Sequence, residues 1–164
     1  MCRILALLLS LPLLASLTLI PAAADESRGI PTTDDLQADA RLAASSGRPI
    51  LLMVSQAHCP YCDLMKREVL HPMTLGGDYL ERILIREILI DSTAKIIDFQ
   101  GRRSSAAAFA RGYGANFTPT LLFLDPQGRE LTERIVGINT VELFSFYLDA
   151  AIDKVAPPAA ETVN

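Results

Sequence analysis

The sequence predicts one α/β domain built on a mixed β-sheet, a parallel pair extended by a C-terminal antiparallel hairpin, with helices on both faces. Three observations predict it. The run Ile50-Leu51-Leu52-Met53-Val54 is continuously apolar and bounded by turn signals, as a central strand covered on both faces requires. A helical pattern separates it from a second, isoleucine-rich run, and a strand–helix–strand crossover makes a parallel pair. Near the C-terminus two strand-like runs flank Asp125-Pro126-Gln127-Gly128, a turn that joins antiparallel neighbours. The 164 residues suffice for a single domain with a buried core.

Residues 1–24 read as a signal peptide and stand outside the fold. Arg3 supplies a positive start, Ile4 to Ile20 an apolar run, Pro21 a break, and Ala22-Ala23-Ala24 a small-residue cleavage site. An uncleaved anchor is the alternative, because a run of roughly 17 residues is at the lower limit for spanning a bilayer. Cys2 precedes the apolar run, which argues against a lipoprotein signal. Cleavage after Ala24 removes Cys2 and leaves only Cys59 and Cys62. It also leaves 14 basic and 19 acidic residues, a formal charge of −5, which disfavours nucleic acid and anionic membrane surfaces as partners.

Residues 25–32 are polar and punctuated by Gly29 and Pro31, a flexible leader to a domain spanning 33–155. Thr33 or Asp34 can cap a helix through about Ser45, ended by Ser46-Gly47. After the first strand, a helix opens at the cysteines with Leu64, Met65 and Val69 on one face, and His71-Pro72 terminates it. Met73 to Arg82 is ambiguous and reads as a short helix after Gly76-Gly77; Ile83 to Ile90 reads as a strand. Ser92 to Arg103 is an elaborated connection with a turn at Asp98 to Gly101. Ser104 or Ser105 then starts an alanine-rich helix through about Tyr113, frayed at Gly112 and Gly114. Strands follow at Thr120 to Leu124 and Glu130 to Val136. Asn139 or Thr140 caps a last helix that buries Val141, Leu143, Phe144, Tyr147, Leu148, Ala151 and Ile152. The proline- and alanine-rich residues 156–164 read as a disordered tail, and no internal repeat or heptad pattern is evident.

Cys59-Pro60-Tyr61-Cys62 follows a buried strand and opens a helix. Unpaired N–H groups and partial positive charge at a helix start favour thiolate at the first cysteine. Thiols in such motifs titrate at about 3.5 to 7.5, against about 8.5 for a free thiol. Cys59 is therefore the expected nucleophile. Pro60 suits the first helical turn, and the three-residue step brings Cys62 back toward Cys59 to resolve a mixed disulfide. A bridge this short closes too small a loop to act as a staple, so the pair points to chemistry. The alternative, half of a zinc site, lacks two well-spaced further ligands, since His58 and His71 are the only histidines; no metal is expected. As a cation His58 would stabilise the thiolate; otherwise it is an exposed loop residue. His71 reads as a helix-end residue.

Thr118-Pro119 precedes a strand, and with it the chain resembles the thioredoxin superfamily, which pairs a Cys-x-x-Cys helix start with a cis-proline facing it. The resemblance runs from about Asp34 to Lys154 and includes Gly128 after the hairpin turn and Val136-Gly137. It implies a thioredoxin-like fold, a cis peptide at Pro119, and substrate pairing along the backbone of Thr118. The stretch Cys59 to Leu70 is most similar to exported thioredoxin-related proteins, including the thioredoxin of the periplasmic sulfur-oxidation system, which also have a longer connection after the second strand. It implies a reductase of exported protein disulfides that draws electrons from a membrane-embedded thiol transporter; with the export signal, a periplasmic, monomeric protein with no cofactor beyond the Cys59–Cys62 disulfide is expected.

Two departures stand out. Met53 occupies the position, six before the first cysteine, where cytosolic thioredoxins carry a buried aspartate that takes the proton of the second thiol; water or Glu68 would serve instead. Pro60-Tyr61 is typical of glutaredoxins, yet Gln56 stands where they usually carry a lysine. Two other functions stay open: an oxidase or isomerase of the same fold, and a redox-sensing protein-binding module.

Overall fold

The computed structural model describes residues 29–75, 77–138 and 140–156. Its sheet is arranged around β1 (Ile50–Ser55), every residue of which is buried. This strand runs parallel to β2 (Leu84–Leu89) on one side and antiparallel to β5 (Thr120–Leu124) on the other, and β5 pairs antiparallel with β6 (Ile135–Val136). Alternation along the strands divides the core in two. Leu51, Met53, Leu121 and Phe123 point to one face with Cys59 and Cys62, while Ile50, Leu52, Val54, Leu122 and Leu124 point to the other. The mixed sheet with helical layers on both faces is as expected.

On the second face lie α1 (Leu36–Ser46) and α5 (Ala106–Gly112), whose Ala40, Ala43, Ala106 and Ala110 allow close approach to the sheet. Asp35 caps α1, its side chain accepting from the Ala38 amide, so the helix begins after Thr33 and Asp34. The reason is the neighbouring strand. Thr33 N–H donates to the Glu87 carbonyl at 2.8 Å, Glu87 N–H donates to the Pro31 carbonyl at 2.9 Å, and Ile30 is buried. These residues, placed by the sequence in the leader or at the helix start, are held by the edge of β2. The signal peptide and the tail beyond Ala156 lie outside the described residues.

The active-site helix departs from expectation at its end. α2 (Pro60–Met65) passes into a π-helical segment, Lys66–Leu70, and then α3 (His71–Leu75), so His71-Pro72 does not terminate it. The His71 N–H reaches back five residues to the Lys66 carbonyl. That wider turn accommodates Pro72, which has no N–H and would crowd a regular helix. α4 (Asp78–Arg82) follows, with Gly77 at its N-cap.

The connection after β2 contains a hairpin the sequence reading missed, β3 (Lys95–Ile97) against β4 (Arg103–Ser105). Its turn, Asp98-Phe99-Gln100-Gly101-Arg102, repeats the β5 turn, Asp125-Pro126-Gln127-Gly128-Arg129. In each, one carboxylate oxygen accepts from the amides two and four residues on, and the other accepts from the arginine Nε. The two turns touch: Gln100 Nε2 donates to the Gln127 carbonyl at 3.3 Å.

After the second turn the expected strand Glu130 to Val136 is interrupted. Glu130 bridges Leu124 and Ile135 pairs with Leu121, so two extra residues bulge from the second strand segment around Thr132–Arg134. α6 (Val141–Val155) then packs on the cysteine face through Phe144, Leu148, Ala151 and Ile152. Leu143 and Tyr147, expected inside, are 53% and 59% exposed, because the buried stripe is narrower than the apolar one. Thr140 stands at the N-cap without a side-chain cap bond, and Asn139 lies outside the described residues.

Candidate active site

The end of β1 delivers the chain to a tight turn whose Ala57 amide contacts both Asp91 carboxylate oxygens at 3.1 Å. His58 follows with φ 57°, exposed, and among the described residues its side chain bonds neither cysteine. Cys59 then stands at the N-cap of α2, and its Sγ accepts from the Cys62 amide at 3.2 Å, the role a serine or aspartate oxygen usually plays. Pro60 takes the first helical position, where no N–H partner is lost. Cys59 and Cys62 form a disulfide, with Cα atoms 5.1 Å apart. Cys62 is wholly buried, while Cys59 retains 8% exposure and is the more accessible residue of the pair.

The loop before β5 faces Cys59. Thr118 Oγ1 lies 3.7 Å from Cys59 Sγ and donates to Gln56 Oε1 at 2.9 Å. The Thr118–Pro119 peptide is cis, and the Pro119 carbonyl accepts from Gly137 N–H at 2.8 Å. Tyr61 and Phe117, 63% and 73% exposed, present aromatic surface from the cysteine motif and from this loop. Cys59, Pro60, Tyr61, Cys62, Thr118 and Pro119 therefore come together at one end of the sheet.

The family model for a thioredoxin-like domain matches residues 36–152. The chain belongs to the thioredoxin-like family. Oxidised mitochondrial thioredoxin 3 from Saccharomyces cerevisiae superposes with a TM-score of 0.50 at 15% identity, covering 76% of this chain and 93% of that chain, and shows the shared fold. Poplar thioredoxin h gives 0.48 at 19% identity, covering 69% and 85%, and Nicotiana alata thioredoxin h gives 0.48 at 20%, covering 77% and 95%. No curated protein sequence matches. With its cysteine pair joined at the helix start, this thioredoxin-like protein is a thiol–disulfide oxidoreductase, and the redox group is the disulfide itself. Among the described residues no group of three or more His, Cys, Asp or Glu side chains could hold a metal ion.

Below the disulfide the thioredoxin-like protein carries a charge pair that sequence reading missed. Glu87 on β2 stands opposite Met53 in the parallel register and is buried. Lys66, one turn beyond Cys62, places Nζ 3.2 Å from Glu87 Oε1 and 3.3 Å from Asp63 Oδ1. Apart from Lys66, Glu87 Oε1 has no partner among the described residues. Burial alone would lower the Lys66 pKa, but the two carboxylates outweigh it and hold the ammonium above its ordinary value. Glu68, the carboxylate expected near Cys62, lies in the π segment, 43% exposed and paired with Arg67 at 2.7 Å. The structure does not bring it to the cysteines. An acidic residue within the apolar run Ile83 to Ile90 was the available signal for Glu87.

Proposed function

We propose that this protein is an exported reductase of protein disulfides, with Cys59 as attacking and Cys62 as resolving thiol. The observation that carries the assignment is the asymmetry of the two cysteines: Cys62 is wholly buried, while Cys59, at the helix N-cap, keeps some exposure and meets the Thr118 loop. In the reduced protein the Cys59 thiolate attacks a substrate disulfide, forming one S–S bond and releasing one substrate thiolate. Cys62, as thiolate, then attacks Cys59 Sγ, closes the internal disulfide and releases the second thiolate. Two electrons pass to the substrate, and the released thiolates take up the two protons that the cysteines lost. The N-terminal sequence supports export to the periplasm, and a membrane-embedded thiol donor would restore the dithiol.

Cys62→Ser protein in cell envelopes is expected to accumulate mixed disulfides through Cys59; accumulation on Cys62 in Cys59→Ser protein instead would reverse the roles. A reduction potential near about −270 mV supports reduction of substrates, whereas one near about −120 mV would make the protein an oxidant.

A further inference from the structure

We propose that Gln56 and Thr118 form a hydrogen-bond relay that sets the fraction of Cys59 present as thiolate. The inference rests on Cys59 being the attacking sulfur and adds a positioning residue, Gln56, that acts through Thr118.

Thr118 Oγ1 lies between two groups, 3.7 Å from Cys59 Sγ and 2.9 Å from Gln56 Oε1. A threonine hydroxyl has one proton and two lone pairs, so it can donate to only one of them. In the disulfide, Sγ is a weak acceptor and the proton goes to the Gln56 carbonyl oxygen. Reduction changes the balance. A thiolate is a strong acceptor, and among the described residues the Cys62 amide at 3.2 Å is the donor already aimed at it.

The Gln56 amide carries a donor and an acceptor at nearly equal reach. Half a turn about its terminal bond replaces Oε1 by Nε2 in front of Thr118. Nε2 then donates to Thr118 Oγ1, and the hydroxyl proton is redirected to Cys59 Sγ. The disulfide thus holds the relay pointing away from sulfur, and the thiolate holds it pointing toward sulfur. Only a side chain able to be both donor and acceptor can follow that reversal.

Other titratable or charged groups near Cys59 are His58 in the preceding turn, Tyr61 and Asp63 on α2, the Lys66–Glu87 pair on the cysteine face of the sheet, and Asp91 under Ala57; Phe117 to Thr120 contributes none. All are kept in the variants that test the relay. In Cys62→Ser protein, Cys59 is titrated by its thiolate absorbance and by its alkylation rate against pH. Thr118→Val is expected to raise the midpoint by about one unit, the worth of one hydrogen bond to a charged group, and Thr118→Ser to restore it.

Gln56→Glu accepts the Thr118 proton and cannot return one. It is expected to raise the midpoint in the presence of Thr118, and to raise it less in the Thr118→Val background, where only its charge acts. A midpoint indifferent to Thr118→Val, or a Gln56→Glu shift equal in both backgrounds, overturns the relay while leaving Cys59 as nucleophile. An unreactive Cys59 in the parent protein overturns the attacking-thiol assignment and the relay with it.

Discussion

The buried pair of Lys66 and Glu87 yields an unequal response to removing either partner. Glu87 is 6% exposed at its side chain and Lys66 is 26%, with charges 3.2 Å apart. At an effective dielectric near 20 that separation corresponds to about 5 kcal/mol of attraction, most of it offset by desolvation of the two charges. Lys66→Met leaves a carboxylate buried without its cation and should destabilise the protein by about 3 kcal/mol. Glu87→Gln leaves a neutral amide, and Lys66 keeps Asp63 at 3.3 Å, so the loss should be about 1 kcal/mol. Urea unfolding of the oxidised proteins at neutral pH measures both. The alkaline limb gives a second check. Because the folded protein holds the Lys66 ammonium above its ordinary value of 10.5, the stability it contributes is complete below that pH and is lost as pH rises through the folded value. Wild type should therefore show an alkaline loss that Lys66→Met lacks. Equal costs for the two substitutions, or the reverse order, would mean that Glu87 is not held in a dry environment by Lys66.

Other perturbations test the far end of the sheet. Burial opposes the charge on Asp98 and Asp125, but bonds from the backbone and side chains of Arg102 and Arg129 hold both carboxyls below the ordinary 3.8. Their contribution is present above that pH and lost as pH falls through the folded values, so Asp98→Asn and Asp125→Asn should each cost about 1 to 3 kcal/mol at pH 7 and approach wild type in acid unfolding. Gly128→Ala places a methyl at φ 80°, 2.5 Å from Phe99 Cδ2 and 2.8 Å from Tyr113 Oη, and should cost about 2 to 4 kcal/mol. Gly47→Ala, with a similar φ and open space, should cost about 1 kcal/mol; thermal unfolding would refute the packing argument if the two were alike. Tyr79, through its bond to Asp149, and Tyr113, through burial, are both pushed up to about 12, so ultraviolet titration should show a late phase from these two that Tyr79→Phe reduces.

What could be read from the sequence was what rests on local pattern. The run at β1 is apolar because both faces of that strand are covered, and Cys59-Pro60-Tyr61-Cys62 sits at a helix start because proline and a capping side chain belong there. The helix continuing past Pro72 was not legible, since the π turn that admits proline is set by packing on the core and not by any residue type. β3 and β4 have three residues each, too few to show a period, and their recurring Asp-x-Gln-Gly-Arg turn was seen only as two separate turns. Leu143 and Tyr147 carry helical periodicity yet face outward, because periodicity marks an apolar side without stating how much of it a neighbour covers. Glu87 is the most instructive omission. Reading along β1 alone finds only an apolar residue at Met53, because it inspects one strand. The parallel register sets Glu87 beside Met53 and the helix brings Lys66 over it, so a buried acid stands on the cysteine face from the adjoining strand. That placement depends on which residues two strands hold side by side, a property of their pairing that no single segment contains.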